Sequence, residues 1–433
     1  WSVFRTKTRS VAKGQEAALA SAVFSTDDKA VVQPEDPRVE DQVIASEIIR
    51  HTLNYRLSKR MPWFQTTIGA YQSTKVYGLS ISHQYWKYEQ GERIIPEIDP
   101  EGRSVTDDNG AILGRPEPFV RADELCCDLI APENFRFDPM CDWRDPVKSS
   151  PFLIYMMPLY VGEALENMKS RDIKSGRPKW YAYPPESILG TRRQKDDRTR
   201  QAREGDERVD PADQSRGSPD YQTVWAHFNL IRENGEDIAY WTMGTELLLT
   251  DPVPLRELYP HLIEGERPFV VGYSSIEAFR NYPAGDVEQM AGLQVETNLV
   301  VNQRLDNVKL VLNKRYYIRR GGQVDLEALM RNVPGGGVMM NDPSKDIFTV
   351  NTPDVTSSSY VEQDRLASEI DDLVGTFTPG SVQSSPQAGK SVGGMNQMSQ
   401  SAGAVQDYGL HVFIETWVTP VLRQLVRLIQ MYE

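Results

Sequence analysis

Histidine and cysteine are scarce in this 433-residue chain. It has five histidines and three cysteines, Cys126, Cys127 and Cys141. A low, odd cysteine count offers no disulfide framework and is typical of a reducing compartment. The histidines show no paired spacing, and two adjacent cysteines on a strand point to opposite faces, so a shared metal ion is disfavoured. The sequence therefore predicts neither a metal nor another cofactor.

Basic residues and long apolar runs are also in short supply. The chain has 48 Lys and Arg against 61 Asp and Glu, a formal net charge of −13. A protein that grips duplex DNA needs a basic face, so this balance argues against tight DNA binding while it permits DNA to slide past. No apolar run reaches the ~18 residues of a membrane span, and we expect no membrane partner.

One long stretch without proline, Asp286–Asn313, predicts a single helix. Its apolar residues recur mostly at steps of three or four: Val287, Met290, Leu293, Val301, Leu305, Val308 and Leu312. At 1.5 Å per residue the helix would be about 40 Å long. Its apolar stripe is narrow and its other faces are rich in amides. We interpret it as a rod packed beside copies of itself with one face wet, or alternatively as a long helix at a domain edge.

Helices and strands alternate before this rod. We predict an extended arm over residues 1–36, a solvated or mobile insertion over 171–220, and a loop or hairpin from Glu92 to Pro118. The Asn234-Gly235 pair predicts a hairpin turn. Helices are predicted over 37–57, 64–76 and 161–170, and strands over 79–88, 125–130 and 152–157.

The residues after the rod predict a small β/α module and then a second long helix, Ser357–Val374. Residues 375–403 are rich in Gly, Ser, Gln and Met, and an amphipathic helix follows from about Tyr408. If the small module lies at one tip, the two long helices must run antiparallel.

This order of elements resembles the portal proteins of tailed bacteriophages. The polar residues of the rod resemble their first stem helix, namely Gln294, Glu296, Asn298, Asn302, Asp306 and Asn307. The run 334–337 resembles their glycine-rich clip turn, 375–379 the entry to their tunnel loop, and 131–139 part of their wing. The likeness covers roughly residues 38–433, and the order of these short motifs carries it.

The resemblance implies an α+β, portal-like fold with a wing, long antiparallel stem helices, a small αβ clip, a tunnel loop and a C-terminal helix. Little of the expected crown domain would lie before Glu433. The implied domains are an N-terminal arm at 1–36, the wing at 37–285, stem helix 1 at 286–313, the clip at 314–352, stem helix 2 at 353–374, the tunnel loop at 375–403 and a C-terminal wing helix at 404–433.

The implied function is structural and not enzymatic. Portal subunits form a homo-oligomeric ring of about twelve copies at one capsid vertex, a closed repeat of one heterologous contact. Viral double-stranded DNA is packaged and ejected through the ring. The implied partners are the terminase large subunit, the major capsid protein and a head-tail adaptor or tail protein. The implied location is the virion, after assembly in the host cytoplasm.

The resemblance also assigns roles to residues. Those expected to face the DNA channel are Gln383, Gln387, Lys390, Asn396 and Gln397. Those expected to pack between stems of neighbouring subunits are Val301, Leu305, Val308, Leu366 and Ile370. Those expected to contact terminase or adaptor at the clip are Arg319, Arg320, Arg331, Asn332 and Gly336.

Two other functions fit parts of the sequence. Ser384–Ser391 comes close to a phosphate-binding P-loop, so an ATPase using Lys390 is one alternative. That pattern needs glycine where Ser384 stands and a strand before it, whereas we predict a helix there. A capsid adaptor other than a portal is the second alternative. Asp138, Asp142 and Asp145 could form a carboxylate site, although hydrogen-bonded turns explain them better.

Overall fold

The computed structural model describes residues 3–26, 28–96, 114–170, 178–191, 222–313, 315–321, 323–331, 336–350, 353, 356–375 and 404–433. The chain divides into two compact units. Unit 1 consists of Trp1–Ala17 and Asp286–Tyr408, and unit 2 of Ala18–Gly285 and Gly409–Glu433. The division at residue 286 coincides with the start of the long helix.

Helices of the described residues are numbered here in chain order. They are α1 (Lys7–Phe24), α2 (Glu40–Lys59), α3 (Trp63–Tyr77), α4 (Pro146–Ser149), α5 (Val161–Lys169), α6 (Pro185–Gly190), α7 (Leu255–Leu258), α8 (Asp286–Leu312), α9 (Leu326–Met330), α10 (Thr356–Val374), α11 (404–413) and α12 (Thr419–Tyr432). A π-helical turn, Ile414–Val418, separates α11 from α12, and Pro420 follows in the first turn of α12. Proline removes a backbone donor, which is a usual reason for such a local change of pitch.

The strands of the described residues form three sheets. They are β1 (Leu79–Pro96), β2 (Gly114–Ile130), β3 (Phe135–Phe137), β4 (Phe152–Tyr160), β5 (Thr223–Glu233), β6 (Glu236–Met243), β7 (Leu247–Leu248), β8 (Val253–Pro254), β9 (Phe269–Tyr273), β10 (Tyr316–Ile318) and β11 (Ile347–Thr349). Unit 2 holds a sheet of order β2-β1-β9 and a six-stranded sheet of order β3-β4-β5-β6-β7, in which β8 pairs with β6. Unit 1 holds the antiparallel pair β10-β11. The predicted α+β class is confirmed at this level.

Two sequence-based expectations are wrong. The arm is not extended throughout, because Lys7–Phe24 is helical; Leu19 is fully buried in unit 2 and Val23 packs beside it. The alanine-rich sequence favours a helix through propensity rather than through a strong apolar stripe. Part of the expected insertion is also core, since Trp180 and Ile188 are buried with α5 and β5. The charged residues 192–221 lie outside the described residues.

The hairpin β1–β2 is longer than its apolar pattern predicts. Its register runs from Ile81 opposite Ile130 to Pro96 opposite Gly114, with a bulge at Glu89 and Gln90. The ends of the region predicted as a loop or hairpin are therefore paired strand, which agrees with the hairpin alternative. The β5–β6 turn is as predicted: Asn234 and Gly235 have φ of 52° and 89°, the signs that a type I′ turn requires.

One stack of aromatic rings forms the centre of the larger core of unit 2. Trp417 stacks on Trp63 at 5.7 Å and on Phe413 at 5.4 Å between ring centroids. Its indole N–H donates to the Ser82 hydroxyl at 3.0 Å. Gly272 of β9 lies beneath this ring, and a Cβ there would stand 2.3 Å from the Trp417 Cβ. Only glycine permits this approach of strand and helix.

A buried ion pair links strand β6 to the segment that precedes β9. Arg267 is fully buried, and its Nε and Nη2 donate to the two Asp237 carboxylate oxygens at 2.9 and 2.7 Å. Its Nη1 donates to the carbonyls of Val147 and Ser150. Burial alone would raise the pKa of Asp237, but the hydrogen bonds from Arg267 and Arg232 prevail and hold it below its usual value. The bidentate geometry leaves no guanidinium nitrogen of Arg267 unpaired.

Candidate functional site

The two long helices of unit 1 pack side by side and run antiparallel. Met290 of α8 shares one apolar cluster with Ile370 and Val374 of α10. Further along α8, the Arg304 guanidinium lies 4.0 Å from the centre of the Tyr360 ring. Residue numbers therefore rise along α8 as they fall along α10. The antiparallel arrangement expected from the sequence is confirmed by these contacts.

The predicted contact residues of the stem divide into two groups. Val301, Leu366 and Ile370 are buried within the single chain, on the faces that α8 and α10 turn to each other. That burial argues against a contact between subunits at these three positions. Leu305 is exposed and Val308 is half-buried, so both retain surface that a neighbour could cover. For these two the role stays a prediction.

A second apolar stripe on α8 was missed by the sequence reasoning. Val295 and Leu299 are 58% and 55% exposed, and Leu310 continues the same side of the helix. At 3.6 residues per turn they lie opposite Val301 and Arg304, the residues that face α10. One apolar side of α8 is buried against α10, and the opposite side remains available for a second contact. The four-residue spacing of Val295 and Leu299 indicates this second stripe, but more apolar residues follow the spacing of the stripe that faces α10.

Acidic residues outnumber basic ones on the paired helices. The acidic residues are Asp286, Glu288, Glu296, Asp306, Glu362, Asp364, Glu369, Asp371 and Asp372, and the basic ones are Arg304, Lys309 and Arg365. On the outer face of α10, Arg365 bridges Glu362 and Glu369 at 2.6 and 2.7 Å. The hydrogen bond to Arg365 lowers the pKa of Glu362, and the pKa of Arg365 is raised in turn. The surface is thus negative and largely solvated.

The module between the helices has almost no interior of its own. The pair β10–β11 and the short helix α9 are joined by an isolated bridge between Val324 and Met340. Helix α9 buries no residue, and Tyr317, Phe348, Met330 and Met339 are exposed. Two strands and one helical turn bury too little apolar surface to be stable alone. The module is therefore suited to contact with another chain.

These features agree with an independent comparison. The family model of the phage SU10 portal protein matches residues 117–433. The match spans both long helices, the module between them and most strands of unit 2. The chain belongs to the phage SU10 portal protein family. A comparison with curated proteins gave no match.

Membership of this family makes the protein a portal subunit of a bacteriophage, a component of the head-tail connector that serves in DNA packaging. Portal proteins are structural components of the capsid and generally not catalysts, and they work as ring oligomers with packaging partners. Within the described residues, no helix combines the length and apolarity that a membrane span requires.

The predicted clip residues of this portal subunit lie on the exposed module. Arg319 and Arg320 follow β10, Arg331 follows α9 and pairs with Glu327, and Gly336 lies in the segment after it; all four are exposed. Asn332 lies outside the described residues.

The predicted channel residues of the portal tunnel loop cannot be placed. Gln383, Gln387, Lys390, Asn396 and Gln397 all lie outside the described residues, as does the P-loop-like run 384–391. The helix α10 ends at Val374, directly before Gly375 with φ of 71°. A left-handed glycine at this position is a usual helix stop, as the sequence predicts.

The competing sites in unit 2 have ordinary structural roles. Burial raises the pKa of the Cys126 thiol to about 11 and that of Cys127 to about 12, so both stay protonated. The carboxylates of Asp138, Asp142 and Asp145 accept backbone N–H groups at 2.9, 3.1 and 3.0 Å, the turns that the sequence favoured. Among the described residues no cluster of three or more His, Cys, Asp or Glu could hold a metal ion.

Proposed function

We propose that copies of this portal subunit close into a ring of about twelve at one capsid vertex, with double-stranded DNA passing through the centre. The observation that carries the proposal is the second apolar stripe of α8, Val295 and Leu299, which the described residues of unit 1 leave exposed. A contact between this stripe and a different face of the next copy is heterologous, and repeating it around an axis closes a ring. Leu310, on the same side of α8, would extend that contact toward the module, whereas a neighbour would have to cover Leu305 and Val308 from another side of the helix.

We assign the portal parts accordingly. Residues 37–285 and 404–433 would form the wing, 286–313 and 353–374 the stem, 314–352 the clip and 375–403 the tunnel loop, with 1–36 as the N-terminal segment. Gln383, Gln387, Lys390, Asn396 and Gln397 would then face the channel. The acidic residues of α8 and α10 support this assignment, because a wall that repels phosphate keeps DNA mobile.

The clip is the proposed docking site for the packaging motor. Arg319, Arg320 and Arg331 would contact the terminase large subunit during packaging and a head-tail adaptor or tail protein afterwards. Exposed aromatic side chains and arginine are the residue types enriched at protein interfaces, and Tyr317 and Phe348 lie beside Arg319 in the β10–β11 pair. The wing would contact the major capsid protein, and assembly would take place in the host cytoplasm.

No observation favours the two alternatives. An ATPase would depend on Lys390 in a run that lacks the required glycine, and no comparison supports it. An adaptor other than a portal is disfavoured because the family match covers the wing strands as well as the stalk.

The variant Leu299→Asp tests the proposed subunit contact. A carboxylate would be desolvated in the interface at a cost of several kcal/mol, repeated at each contact of the ring. We expect the purified variant to be monomeric or a small oligomer by mass photometry, with an unchanged circular dichroism spectrum. The matched control Gln289→Asp adds the same charge at an exposed polar position of α8 that lies off the second stripe, and it should still form rings. Rings of Leu299→Asp with the parent's mass would contradict the proposed contact.

A further inference from the structure

Three amides of α8 meet the N-terminal segment of the same unit. Gln294, Asn298 and Asn302 are spaced four apart, so their side chains lie one above another on one side of the helix. The residues Val3–Thr8 run along this side in the opposite direction, with Val3 at Asn302, Arg5 at Asn298 and Thr8 at Gln294. We call the three side chains the amide ladder.

The amide ladder forms hydrogen bonds with backbone groups of the N-terminal segment. Asn302 accepts the Val3 N–H at 2.8 Å and donates to the Val3 carbonyl at 3.2 Å. Asn298 accepts the Arg5 N–H at 2.9 Å, and Gln294 donates to the Arg5 carbonyl at 2.6 Å. Gln294 also accepts the Thr8 N–H at 3.1 Å. A carboxamide presents a C=O acceptor beside an NH2 donor, as a residue at the edge of a sheet presents a C=O and an N–H group.

Helix and chain geometry explain why the register fits. Four residues of α-helix rise about 6 Å, and two residues of extended chain span about 6.6 Å. Amides at every fourth position can therefore meet every second residue of an extended segment. The ladder bonds residues 3 and 5 and skips Phe4, whose side chain is 69% exposed.

The same segment also reaches α10. The Lys7 ammonium lies 2.7 Å from the Asp371 carboxylate, which is almost fully buried. One turn later Val11 packs with Met290 of α8 and with Ile370 and Val374 of α10. Gln15 donates to Asp286 at the first residue of α8. One continuous segment thus contacts both long helices.

We propose that α8 carries a site for extended polypeptide backbone, which residues 3–6 occupy. These residues and the first half of α1 together form a strap, Val3–Gln15, that ties α8 to α10. Recognition is through the backbone, so the side chains of Val3 and Phe4 contribute little. The site concerns one chain and is independent of the proposed ring.

A pair of proline variants tests the strap in the full-length chain. Arg5→Pro removes the N–H that Asn298 accepts, whereas Phe4→Pro leaves the bonding residues 3 and 5 in place. Trypsin can cut after Lys7 and Arg9 only where the segment leaves the helices. We expect cleavage there to be about tenfold faster in Arg5→Pro, because a lost hydrogen bond changes the open fraction by about that factor. Phe4→Pro and Arg5→Ala should be cut at the parent's rate.

Two further readings complete the test. Asn298→Ala removes the same contact from the helix side and should reproduce the faster cleavage. Hydrogen exchange in Leu366–Val374 of α10 should rise in Arg5→Pro and Asn298→Ala and stay unchanged in Phe4→Pro. The proposal is overturned if Arg5→Pro and Phe4→Pro are cleaved alike, or if faster cleavage comes without faster exchange in α10.

Discussion

His83 is buried among aromatic rings, and this environment disfavours its charged imidazolium form. Its ring stacks on Tyr85 and Phe269 at 4.8 and 4.9 Å, and its Nε2 is 3.2 Å from the Tyr259 hydroxyl. Burial, with a smaller contribution from His261, lowers the pKa of His83 to about 3. Burial and the nearby Arg427 lower the pKa of His261 to about 4. Both imidazoles are therefore neutral at pH 7, and the fold depends on that neutrality.

Acid should destabilise the fold through these histidines. Both pKa values are lower in the folded chain than the ordinary 6.5, so the unfolded chain takes up protons first as the pH falls. The stabilisation is complete above about pH 6.5 and is lost toward pH 4. The unfolding free energy of the parent falls between pH 6.5 and 4.5. We expect this fall to be smaller in His83→Phe by on the order of 2 kcal/mol. Urea unfolding at both pH values measures it, and the exposed His51→Gln should keep the parent's pH dependence.

Helices α8 and α10 depend on a small apolar cluster. It consists of Val11, Met290, Ile370 and Val374, with Val287 and Leu293 packed against it. With so few buried side chains, each carries a large share of the stability of the pair. The strap contributes one of the four, so the pair and the strap should loosen together.

Truncation of one cluster residue should show this directly. Ile370→Ala removes a fully buried side chain and should cost about 2–3 kcal/mol, since α10 can collapse only partly into the cavity. Leu373→Ala, on the same helix but 44% exposed, should cost under ~1 kcal/mol. Urea unfolding followed by hydrogen exchange in α10 compares the two. Equal losses for both variants would show that the cluster does not hold the helices.

Periodicity in the sequence predicted the long elements well. The rod expected at 286–313 is the helix Asp286–Leu312, and the second long helix begins and ends within a residue of its prediction. Helix α1 was missed because alanine and serine give little contrast between faces. The amides of α8 were interpreted as a wet face, whereas they bind Val3–Thr8. Their spacing of four residues is visible in the sequence, but that spacing does not identify the backbone that they bind.

At the scale of the whole molecule, the described residues of unit 1 leave apolar surface exposed on α8 and on the module. The second stripe of α8 and the module β10–β11 are apolar and exposed in unit 1. The sequence could suggest a ring only through its resemblance to portal proteins, because one chain's pattern does not record which faces its copies share. Contacts between subunits were predicted at Val301, Leu366 and Ile370, which are buried within the single chain. Apolar periodicity predicts that such residues are buried but does not indicate which surface covers them.

The ring is tested by the mass and symmetry of the purified protein. Mass photometry with two-dimensional cryo-electron microscopy averages would count the copies in each particle. We expect closed rings of about twelve copies with a central hole. A compact monomer under every condition of salt and protein concentration would contradict it.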